Sequence, residues 1–528
     1  MVLFVYKILV ADAIKPEGLT PLLNASGIEL VQETVEEAVD NLHEMDAILV
    51  RSATKVTEDL MDKMTNLKII ARAGVGVDNV DIPAATKRGI VVVNAPDGNT
   101  ISTAEHTFAM MASLMRHIPQ AHSSLKNGEW KRNSFSGTEL YGKTLGIVGM
   151  GRIGGEIASR AKAFGMKVIA FDPFLTAERA KKMNITNLPL DDLIQQADII
   201  TVHTPLTKET RGLINKEKLS KVKKGVYLIN CARGGIIDED DLYEAVKDGK
   251  VAGAALDVFV DEPAIDNKLL ELDSVIVTPH LGASTKEAQL NVATQVAQEV
   301  LTFLHGNPVS NSINLPAISK EVFEKIQPFY YMIKQIGSIA SQCTKEGINE
   351  ITVTYAGTVL DFETSLLTKS LLSGFLSSRI ALNVNEVNAL LVAKERGITV
   401  GEKISQNTSG YTNTISVTVK SDIRQLEIKG TYIENYGPRI VSLNNFTIDF
   451  VPEGHLLYIQ HTDKPGVIGR VGKILGDNEI NIATMQVGRK QVGGEAIMVL
   501  SFDKPLCDEV LNTLLEQEDI CQLHRISL

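Results

Sequence analysis

A glycine-rich turn between an apolar strand and a helix constrains the fold of this chain more than any other feature. The run TLGIV at 144–148 predicts a buried strand, GMGRIG follows it directly, and EIASRAKAFG continues as a helix. In this arrangement Gly149 permits a tight turn, Gly151 lets a ligand approach the backbone, and Gly154 lets helix and strand pack closely. The segment therefore predicts a doubly wound α/β domain.

The same segment indicates the ligand. Unpaired N–H groups at the start of the helix favour a diphosphate, and Arg152 adds a contact to it. The next strand, KVIAFDP, ends in Asp172, where a carboxylate accepts ribose hydroxyls and repels a 2′-phosphate. Pro173 and Phe174 follow, with no arginine beside them. GMGRIG alone is also compatible with a plain glycine turn, but strand, turn, helix, strand and acid in this order predict NAD rather than NADP.

Short Val, Ile and Leu runs alternate with helical patterns through the first three hundred residues. Such runs predict parallel strands covered on both faces. The predicted strands besides the one before the glycine turn are 7–12, 47–52, 67–74, 89–95, 167–173, 198–205, 225–232 and 274–280. Because the glycine turn lies near residue 150, we expect two Rossmann-like lobes. An NAD-binding lobe, 99–285, interrupts a substrate-binding lobe made of 1–98 and 286–312, and a helix at 286–305 returns the chain.

The alternation of apolar strand patterns with helical patterns ends at the polar linker NPVSNSINLPAIS. Residues 316–452 predict an α+β domain, and residues 454–528 predict a smaller domain of βαββαβ order. The α+β domain should contain a helix at 321–344 and strands at 350–357, 414–421, 426–432 and 446–452.

Bulk composition excludes several classes of protein. A chain of 528 residues is too long for one core, and a net charge of −11 argues against nucleic acid or an anionic membrane as a general partner. The four cysteines are far apart, which favours a reduced, cytoplasmic setting over disulfides or a zinc site, so no metal is expected. The start, MVLFVYKILVADA, predicts a first buried strand rather than a signal peptide. No apolar run approaches the roughly 20 residues of a membrane helix.

Three later segments carry groups suited to hydride transfer. NCARGG ends a strand and presents Arg233, LDVFVDEP presents Asp257 and Glu262, and VTPHLGAST presents His280. Oxidation of an alcohol by NAD needs a base for the hydroxyl proton, a neighbour that orients the base, and a cation that polarises the carbonyl. Each residue alone is compatible with a structural role. On successive strand ends after a dinucleotide turn, together they predict a dehydrogenase.

GMGRIG, NCARGG, LDVFVDEP and PHLGAST resemble the signature motifs of the D-isomer-specific 2-hydroxyacid dehydrogenases, over residues 1 to about 310. The resemblance implies that His280 is the general acid/base, that Glu262 pairs with it, and that Arg233 binds the substrate carboxylate and carbonyl oxygen. Members that act on formate carry glutamine where Glu262 stands, which disfavours that activity. The resemblance also implies an NAD site lined by Gly149, Gly151, Arg152, Ile153, Gly154, Asp172, Thr204, Cys231, Ala232, Asp257, Gly282 and Ala283.

Within the family, VRSATKVT, ARAGVGVDNVD and PDGNTISTAEHT resemble the members that oxidise D-3-phosphoglycerate on the way to L-serine. A phosphorylated acid needs cations beyond Arg233, and two arginines lie at strand ends of the first lobe. Lys131 and Arg132 either reach a neighbouring subunit's site, as the resemblance implies, or are simply solvated. Val75 stands where many relatives have a hydroxyl residue. The predicted substrate-binding residues are Arg51, Ser52, Arg72, Val75, Gly76, Asn99, Lys131 and Arg132.

The tail HTDKPGVIGRVGKILGDNEINIATM resembles the ligand-binding ACT domain, which pairs side by side and binds amino acids. The resemblance implies His461, Asp463 and Asn481 as contacts for L-serine; the alternative is a domain that only dimerises. Residues 316–452 resemble the intervening domain of long-form relatives, which implies a regulatory role. A homodimer or homotetramer is expected.

Two other functions remain open at this point. The first is an NADH-dependent reductase of hydroxypyruvate, glyoxylate or 2-oxoglutarate. The second is an NAD-sensing binding protein that retains the same three site residues without catalysing a reaction.

Overall fold

The computed structural model of this chain describes residues 5–380 and 383–528. The first four residues of the predicted N-terminal segment lie outside the described part. Within it, no helix is both long and apolar enough to cross a membrane.

The first lobe contains a five-stranded parallel sheet in the order β2-β1-β3-β4-β5. Alternate residues of its central strands enter two different cores: Ile8 packs on one face and Leu9 on the other, both fully buried. The elements are β1 Tyr6–Val10, α1 Thr20–Leu23, β2 Ile28–Val31, β3 Ala47–Val50, α2 Glu58–Lys63, β4 Ile69–Arg72, α3 Ile82–Lys87 and β5 Val91–Asn94.

The second lobe contains a seven-stranded parallel sheet in the order β12-β11-β10-β9-β6-β7-β8. Its elements are α4 Thr100–Met115, α5 Ile118–Lys126, β6 Thr144–Val148, α6 Arg152–Ala163, β7 Lys167–Phe171, α7 Ala177–Lys182, β8 Thr186–Asn187, α8 Leu190–Gln196, β9 Ile199–Val202, α9 Lys216–Lys221, β10 Val226–Asn230, α10 Glu239–Lys247, β11 Val251–Leu256 and β12 Val275–Val277. The helix α11, Lys286–Leu304, then returns the chain and packs on the first sheet, as predicted.

Three strands of these lobes were absent from the sequence prediction. The strand β11 has the sequence VAGAAL, in which small residues replace the β-branched run that signals a strand. The edge strands β2 and β8 are short and partly exposed, so they show no continuous apolar run. All nine predicted strands are present, with ends shifted by a few residues.

The third unit is a six-stranded sheet in the order β14-β13-β15-β16-β17-β18, covered by helices. Its elements are α12 Lys320–Cys343, β13 Glu350–Gly357, α13 Ser365–Leu376, α14 Ala389–Glu395, β14 Thr399–Ser405, β15 Asn413–Lys420, β16 Gln425–Ile433, β17 Gly437–Leu443 and β18 Phe446–Phe450. The helix and four of these strands match the prediction. The strands β14 and β17 and the helices α13 and α14 were missed; the apolar α13 and the exposed β14 do not show a clear period.

A docking loop, 383–388, joins this unit to the first lobe. Val387 is buried in the core of the first lobe, and Asn385 donates from Nδ2 to the carbonyl oxygen of Gly89 at 2.7 Å. On the other side of the loop, Glu386 accepts hydrogen bonds from Tyr330 and Lys334 of α12. The loop therefore contacts both units.

The C-terminal unit has the predicted βαββαβ order. Its antiparallel sheet runs β20-β21-β19-β22. The elements are β19 His455–Thr462, α15 Val467–Asp477, β20 Ile482–Arg489, β21 Glu495–Phe502, α16 Asp508–Leu515 and β22 Ile520–Ser527. One face of the sheet packs under its two helices through Leu457 and Leu500, while Leu456 and Val499 on the other face join the core of the third unit. The two C-terminal units thus share a hydrophobic core.

Candidate active site

The loop between β6 and α6 has space only for glycine at two of its three glycines. Gly149 adopts φ +101°, and a Cβ there would lie 2.5 Å from the carbonyl oxygen of His203. A Cβ on Gly154 would lie 2.2 Å from the carbonyl oxygen of Gly149. Around Gly151, no described atom lies within 4 Å of a built Cβ, so open space faces the start of α6. A diphosphate fits this space, because the helix N–H groups there favour an anion.

Asp172 links this loop to the end of β7. Its Oδ2 accepts the N–H of Met150 at 2.7 Å, and its Oδ1 accepts the N–H of Phe174 at 2.7 Å. Each carboxylate oxygen retains a lone pair for a further donor. The predicted ribose contact is therefore compatible with the geometry, and Asp172 also shapes the glycine loop.

Buried polar atoms without partners lie beside the loop and at the start of α4. Within the described chain, Oγ1 of Thr204, Oδ1 of Asn99 and Oγ1 of Thr100 are buried and have no hydrogen-bond partner. Thr204 contacts the glycine loop, because its Cγ2 lies 3.0 Å from a Cβ built on Gly149. Buried polar groups in proteins are normally paired. These atoms therefore fit a ligand with many polar groups, as NAD has.

His280 and Glu262 form a direct pair. His280 Nδ1 lies 2.8 Å from Glu262 Oε2, while Oε1 of the same carboxylate accepts the N–H of Phe259 at 3.1 Å. Because a carboxylate only accepts, Nδ1 carries a proton in this pair, which leaves Nε2 able to take one. Both side chains are partly exposed, His280 to 48% and Glu262 to 37%. The imidazole is accessible to a substrate.

Arg233 reaches from the second lobe across to the first. Its Nε lies 3.0 Å from Oδ2 of Asp78, and its Nη1 donates to the carbonyl oxygen of Ala232 at 2.6 Å. A Cβ on Gly76 would lie 1.6 Å from Nη2, so the guanidinium lies directly on the backbone at this glycine. The absence of a side chain at Gly76 therefore leaves room for the guanidinium of Arg233.

A second guanidinium occupies the same turn. A Cβ on Gly74 would lie 1.4 Å from Nη1 of Arg72. Burial, together with the positive charges of Arg233 and Arg51, lowers the pKa of Arg72 to about 10, although the carboxylates of Asp78 and Asp12 act in the opposite direction. The Nε of Arg72 is buried and has no partner in the described chain. The three arginines therefore form a cationic cluster suited to an anion with several charges.

The other residues predicted to bind substrate differ in their contacts and in their exposure. Arg51 donates from Nη1 to the carbonyl oxygen of Ala13 at 3.3 Å, and Ser52 next to it is exposed. The carbonyl oxygen of Val75 accepts from Nδ2 of Asn94 at 2.6 Å.

Lys131 and Arg132 lie in an exposed segment outside the arginine cluster's contacts. Lys131 pairs with Glu129 at 2.7 Å, and Trp130 between them is 83% exposed. A single chain therefore leaves this segment in solvent.

The remaining predicted cofactor residues surround the loop and the strand ends. Arg152 pairs with Asp97 at 2.5 Å, and Ile153 packs against the core of the second lobe. Cys231 is buried, and that burial raises the pKa of its thiol to about 12, so the thiol is neutral. Ala232 and Ala283 are partly exposed, whereas Gly282 is buried.

Asp257 lies beneath the loop that carries His280 and is only 1% exposed. Its oxygens accept from the hydroxyl of Thr278 at 2.6 Å and from the N–H groups of Leu281 at 2.7 Å and Gly282 at 2.8 Å. Burial opposes ionisation of this carboxyl, but hydrogen bonds from His106, Thr278 and the two N–H groups leave its pKa below the ordinary value.

The sequence interpretation missed Asp78, Asp97, Thr103 and His106. The first two form ion pairs with residues that are distant in sequence, and no short motif reveals such pairs. Thr103 and His106 lie three residues apart on α4, and Thr103 donates to the carbonyl oxygen of Gly282 at 3.3 Å. A polar stripe on an otherwise apolar helix was the available signal.

The three residues predicted for an effector lie in the C-terminal unit. His461 is buried, its Nδ1 donates to the carbonyl oxygen of Thr462 at 2.8 Å, and its Nε2 has no partner in the described part. Asp463 accepts from Arg489 at 3.3 Å and from the N–H of Gly493 at 3.1 Å. The exposed Asn481 lies 3.4 Å from Asp503. Asp463 thus already has a cationic partner.

Among the described residues, no group of three or more His, Cys, Asp or Glu side chains is placed to hold a metal ion.

Three known families match consecutive parts of the chain. Residues 108–282 match the NAD binding domain of D-isomer specific 2-hydroxyacid dehydrogenases. Residues 325–444 match the D-3-phosphoglycerate dehydrogenase intervening domain, and residues 455–519 match the ACT domain. These matches agree with the order of the units in the structure.

Full-length relatives and solved structures extend the similarity. The chain is 61% identical over 523 residues to the D-3-phosphoglycerate dehydrogenase of Bacillus subtilis (strain 168), covering 99% of this chain and 100% of the relative. It is 44% identical over 524 residues to the enzyme of the same name from Methanocaldococcus jannaschii, with 99% and 100% covered. The D-lactate dehydrogenase of Aquifex aeolicus, solved with NAD and lactic acid, matches with a TM-score of 0.53 and 32% identity, covering 59% of this chain and 99% of that structure.

Proposed function

This chain belongs to the D-3-phosphoglycerate dehydrogenases of the D-isomer-specific 2-hydroxyacid dehydrogenase family, and on that premise we propose that it oxidises D-3-phosphoglycerate to 3-phosphohydroxypyruvate with NAD, the first step of L-serine synthesis. One observation carries the proposal. Arg233, Glu262 and His280 follow β10, β11 and β12, three neighbouring parallel strands. Their carboxyl ends meet at one edge of the sheet, where such folds bind their ligands.

The proton is transferred by the His280–Glu262 pair. Nε2 of His280 takes the proton of the substrate C2 hydroxyl, and Glu262 stabilises the imidazolium through the 2.8 Å contact at Nδ1. Arg233 binds the substrate carboxylate and polarises the oxygen that becomes the carbonyl. NAD, when bound, supplies the hydride acceptor.

The substrate phosphate is held by two arginines of the cluster, Arg51 and Arg72. Arg51 and Arg72 provide positive charge beyond that used by Arg233 for the carboxylate. The N–H groups of Val75 and Gly76 approach the carboxylate, and Ser52 and Asn99 line the same cleft. The exposed Lys131 and Arg132 complete the phosphate site of a neighbouring subunit, so the active protein is at least a homodimer.

The dinucleotide lies along the glycine loop. Gly149, Gly151, Arg152, Ile153 and Gly154 surround its diphosphate, and Asp172 accepts the adenosine ribose hydroxyls. The nicotinamide end is lined by Thr204, Cys231, Ala232, Asp257, Gly282 and Ala283. The charge of Asp172 favours NAD over NADP.

The test is turnover of the purified protein with NAD and a panel of D-2-hydroxy acids, with the corresponding 2-oxo acids and NADH in the reverse direction. D-3-phosphoglycerate should be oxidised with the highest kcat/KM. His280→Gln should lower kcat by roughly 10²–10⁴-fold while NADH fluorescence on binding is retained. The matched control is His305→Leu, at the exposed C-terminal end of α11. Full activity of His280→Gln would contradict the mechanism, and a preference for glyoxylate or 2-oxoglutarate would contradict the substrate.

L-serine is the proposed effector of the C-terminal unit. The ACT match supports this assignment, with His461 and Asp463 at the end of the sheet where Ala496 lies. Asn481 precedes β20 at the opposite end, beside Phe502, so one chain does not bring all three predicted contacts together. Because Asp463 already pairs with Arg489, the serine ammonium group would share that carboxylate. Calorimetric titration should show binding that weakens in Asp463→Ala. A domain that only dimerises would show no binding at millimolar L-serine.

A cytoplasmic location is also proposed. All four cysteines are free, and two of them, Cys231 and Cys343, are buried as neutral thiols with raised pKa values. Free thiols are typical of a reducing compartment. Fractionation of cells that express the protein tests this assignment.

A further inference from the structure

The helix α4 of the second lobe contacts the residues that hold the loop carrying His280. His106 lies on α4, and its Nε2 is 3.2 Å from Oδ1 of Asp257 and 3.1 Å from Oγ1 of Thr278. The side chain is 20% exposed, whereas Asp257 is 1% exposed. The dehydrogenase mechanism above assigns no step to His106.

The hydrogen-bond directions around Asp257 follow from its chemistry. A carboxylate only accepts, so the hydroxyl of Thr278, 2.6 Å away, gives its proton to Oδ1 of Asp257. The oxygen of Thr278 is then left as an acceptor toward His106. Nε2 of His106 therefore carries a proton, which it shares between the carboxylate and the hydroxyl oxygen.

Asp257 in turn fixes the backbone on which His280 is carried. Its carboxylate accepts the N–H groups of Leu281 and Gly282, the two residues after His280, and its carbonyl oxygen accepts the N–H of His280 at 2.9 Å. His280 adopts φ +56°, a left-handed backbone conformation that residues other than glycine rarely take. Such a conformation persists only where surrounding contacts hold it.

We propose that His106 is a positioning residue of the dehydrogenase: through Asp257 and Thr278 it holds the loop 278–283 so that His280 faces Glu262 and the substrate. This role rests on the proposed function above. His106 touches none of the reacting groups. Its loss leaves a buried carboxylate and a hydroxyl short of one donor, and the loop gains freedom at the residue whose orientation sets the rate.

The first measurement compares His106→Leu with His106→Gln, whose side-chain amide supplies an N–H near the position of Nε2. His106→Leu should lower kcat by about tenfold or more, since misplacement of a catalytic group by about 1 Å costs up to about 10²-fold. The KM for the hydroxy acid should change by less than about threefold, because Arg233 and Arg72, which bind it, are untouched. His106→Gln should recover most of the lost kcat. His305→Leu is the matched control.

The second measurement does not depend on turnover. Hydrogen–deuterium exchange of the peptide that spans 278–283 should be at least about tenfold faster in His106→Leu, and near wild type in His106→Gln. Thr278→Val removes the bridging hydroxyl and should accelerate exchange in the same way, so a poorly folding leucine variant does not end the test.

The two measurements separate the two proposals. Absence of turnover in the wild-type protein would overturn the proposed function. Hydrogen–deuterium exchange would still test whether His106 holds the loop 278–283. Wild-type kcat and exchange in His106→Leu would overturn the positioning role. So would a loss of kcat in both His106 variants with wild-type exchange, because that pattern requires direct participation in the reaction.

Discussion

Asp78 of the first lobe pairs with Arg233 of the second, with Oδ2 3.0 Å from Nε. The arginine is the proposed ligand of the substrate carboxylate, so the protein places one of its own carboxylates on that cation. Asp78 also offsets the repulsion among Arg51, Arg72 and Arg233, as the pKa of Arg72 indicates. The pair is 68% exposed on the aspartate side, which keeps it weak and exchangeable.

Asp78→Asn should therefore destabilise the free protein and increase its response to substrate. The loss of an exposed ion pair costs at most about 1 kcal/mol, or a fall in Tm of roughly 2–4 °C. D-3-phosphoglycerate should raise the Tm of the variant by more than that of the wild type, because the ligand supplies the missing negative charge. Thermal unfolding with and without substrate measures both, with the exposed Asp40→Asn as control. Equal substrate-induced shifts would argue against a shared role of Asp78 and substrate.

Gly76→Ala should affect the substrate and leave the dinucleotide unaffected. The added Cβ would lie 1.6 Å from Nη2 of Arg233, so the guanidinium must move away from the cleft. Loss of a charge-assisted hydrogen bond is worth about 1.5–3 kcal/mol, so KM for the hydroxy acid should rise about 10–100-fold. The Kd of NADH should stay within about twofold of wild type. Gly472→Ala, with open space around the new methyl group, is the control. An unchanged KM would mean that Arg233 does not bind substrate in this position.

Asp172→Asn should reduce the preference for NAD over NADP. The two carboxylate oxygens accept separately from the N–H groups of Met150 and Phe174, so the amide oxygen keeps one of these contacts and the side chain loses the charge that repels a 2′-phosphate. The ratio of kcat/KM for NADP to that for NAD should rise about tenfold, which is roughly 1.4 kcal/mol. The exposed Asp192→Asn on the same lobe should leave the ratio unchanged. If Asp172→Asn also leaves it unchanged, the discrimination lies elsewhere.

Asp257 makes the stability of the catalytic loop sensitive to acid. Its pKa in the folded protein lies below the ordinary value of 3.8, so the unfolded chain binds the proton more readily. The stability that this carboxylate contributes is therefore complete above that ordinary value and is lost as the pH falls toward the folded pKa. Asp257→Asn lacks this contribution at every pH. Denaturant unfolding from pH 7 to pH 3 should show the gap between wild type and variant closing below about pH 4; a constant gap would contradict the assignment.

The sequence predicted the strands and the reactive residues that local patterns encode. Parallel strands buried on both faces, such as β6 and β9, carry continuous apolar runs, and all nine of those predicted are present. The small-residue strand β11 was missed because its place between β10 and β12 comes from tertiary packing rather than from propensity.

The partners of the site residues depend on contacts between segments far apart in the chain. Arg233 and His280 follow strands with recognisable motifs, but Asp78 is 155 residues from Arg233, and His106 is 172 residues from Thr278. No local period or motif contains such pairs. The first pair forms where the two lobes face each other, and the second forms where α4 packs beside the end of β12 within the second lobe.

The docking loop limits which domains can be removed from this enzyme without exposing its hydrophobic core. Val387 belongs to the third unit by sequence but to the first lobe by packing, and Asn385 beside it is bonded to Gly89. A truncated chain that stops at the linker near residue 313 would keep every proposed catalytic residue and yet leave an apolar socket open to water. The solved D-lactate dehydrogenase covers 59% of this chain. Here a side chain of the third unit completes the core of the first lobe, so the catalytic part of the chain should lose stability when that unit is removed.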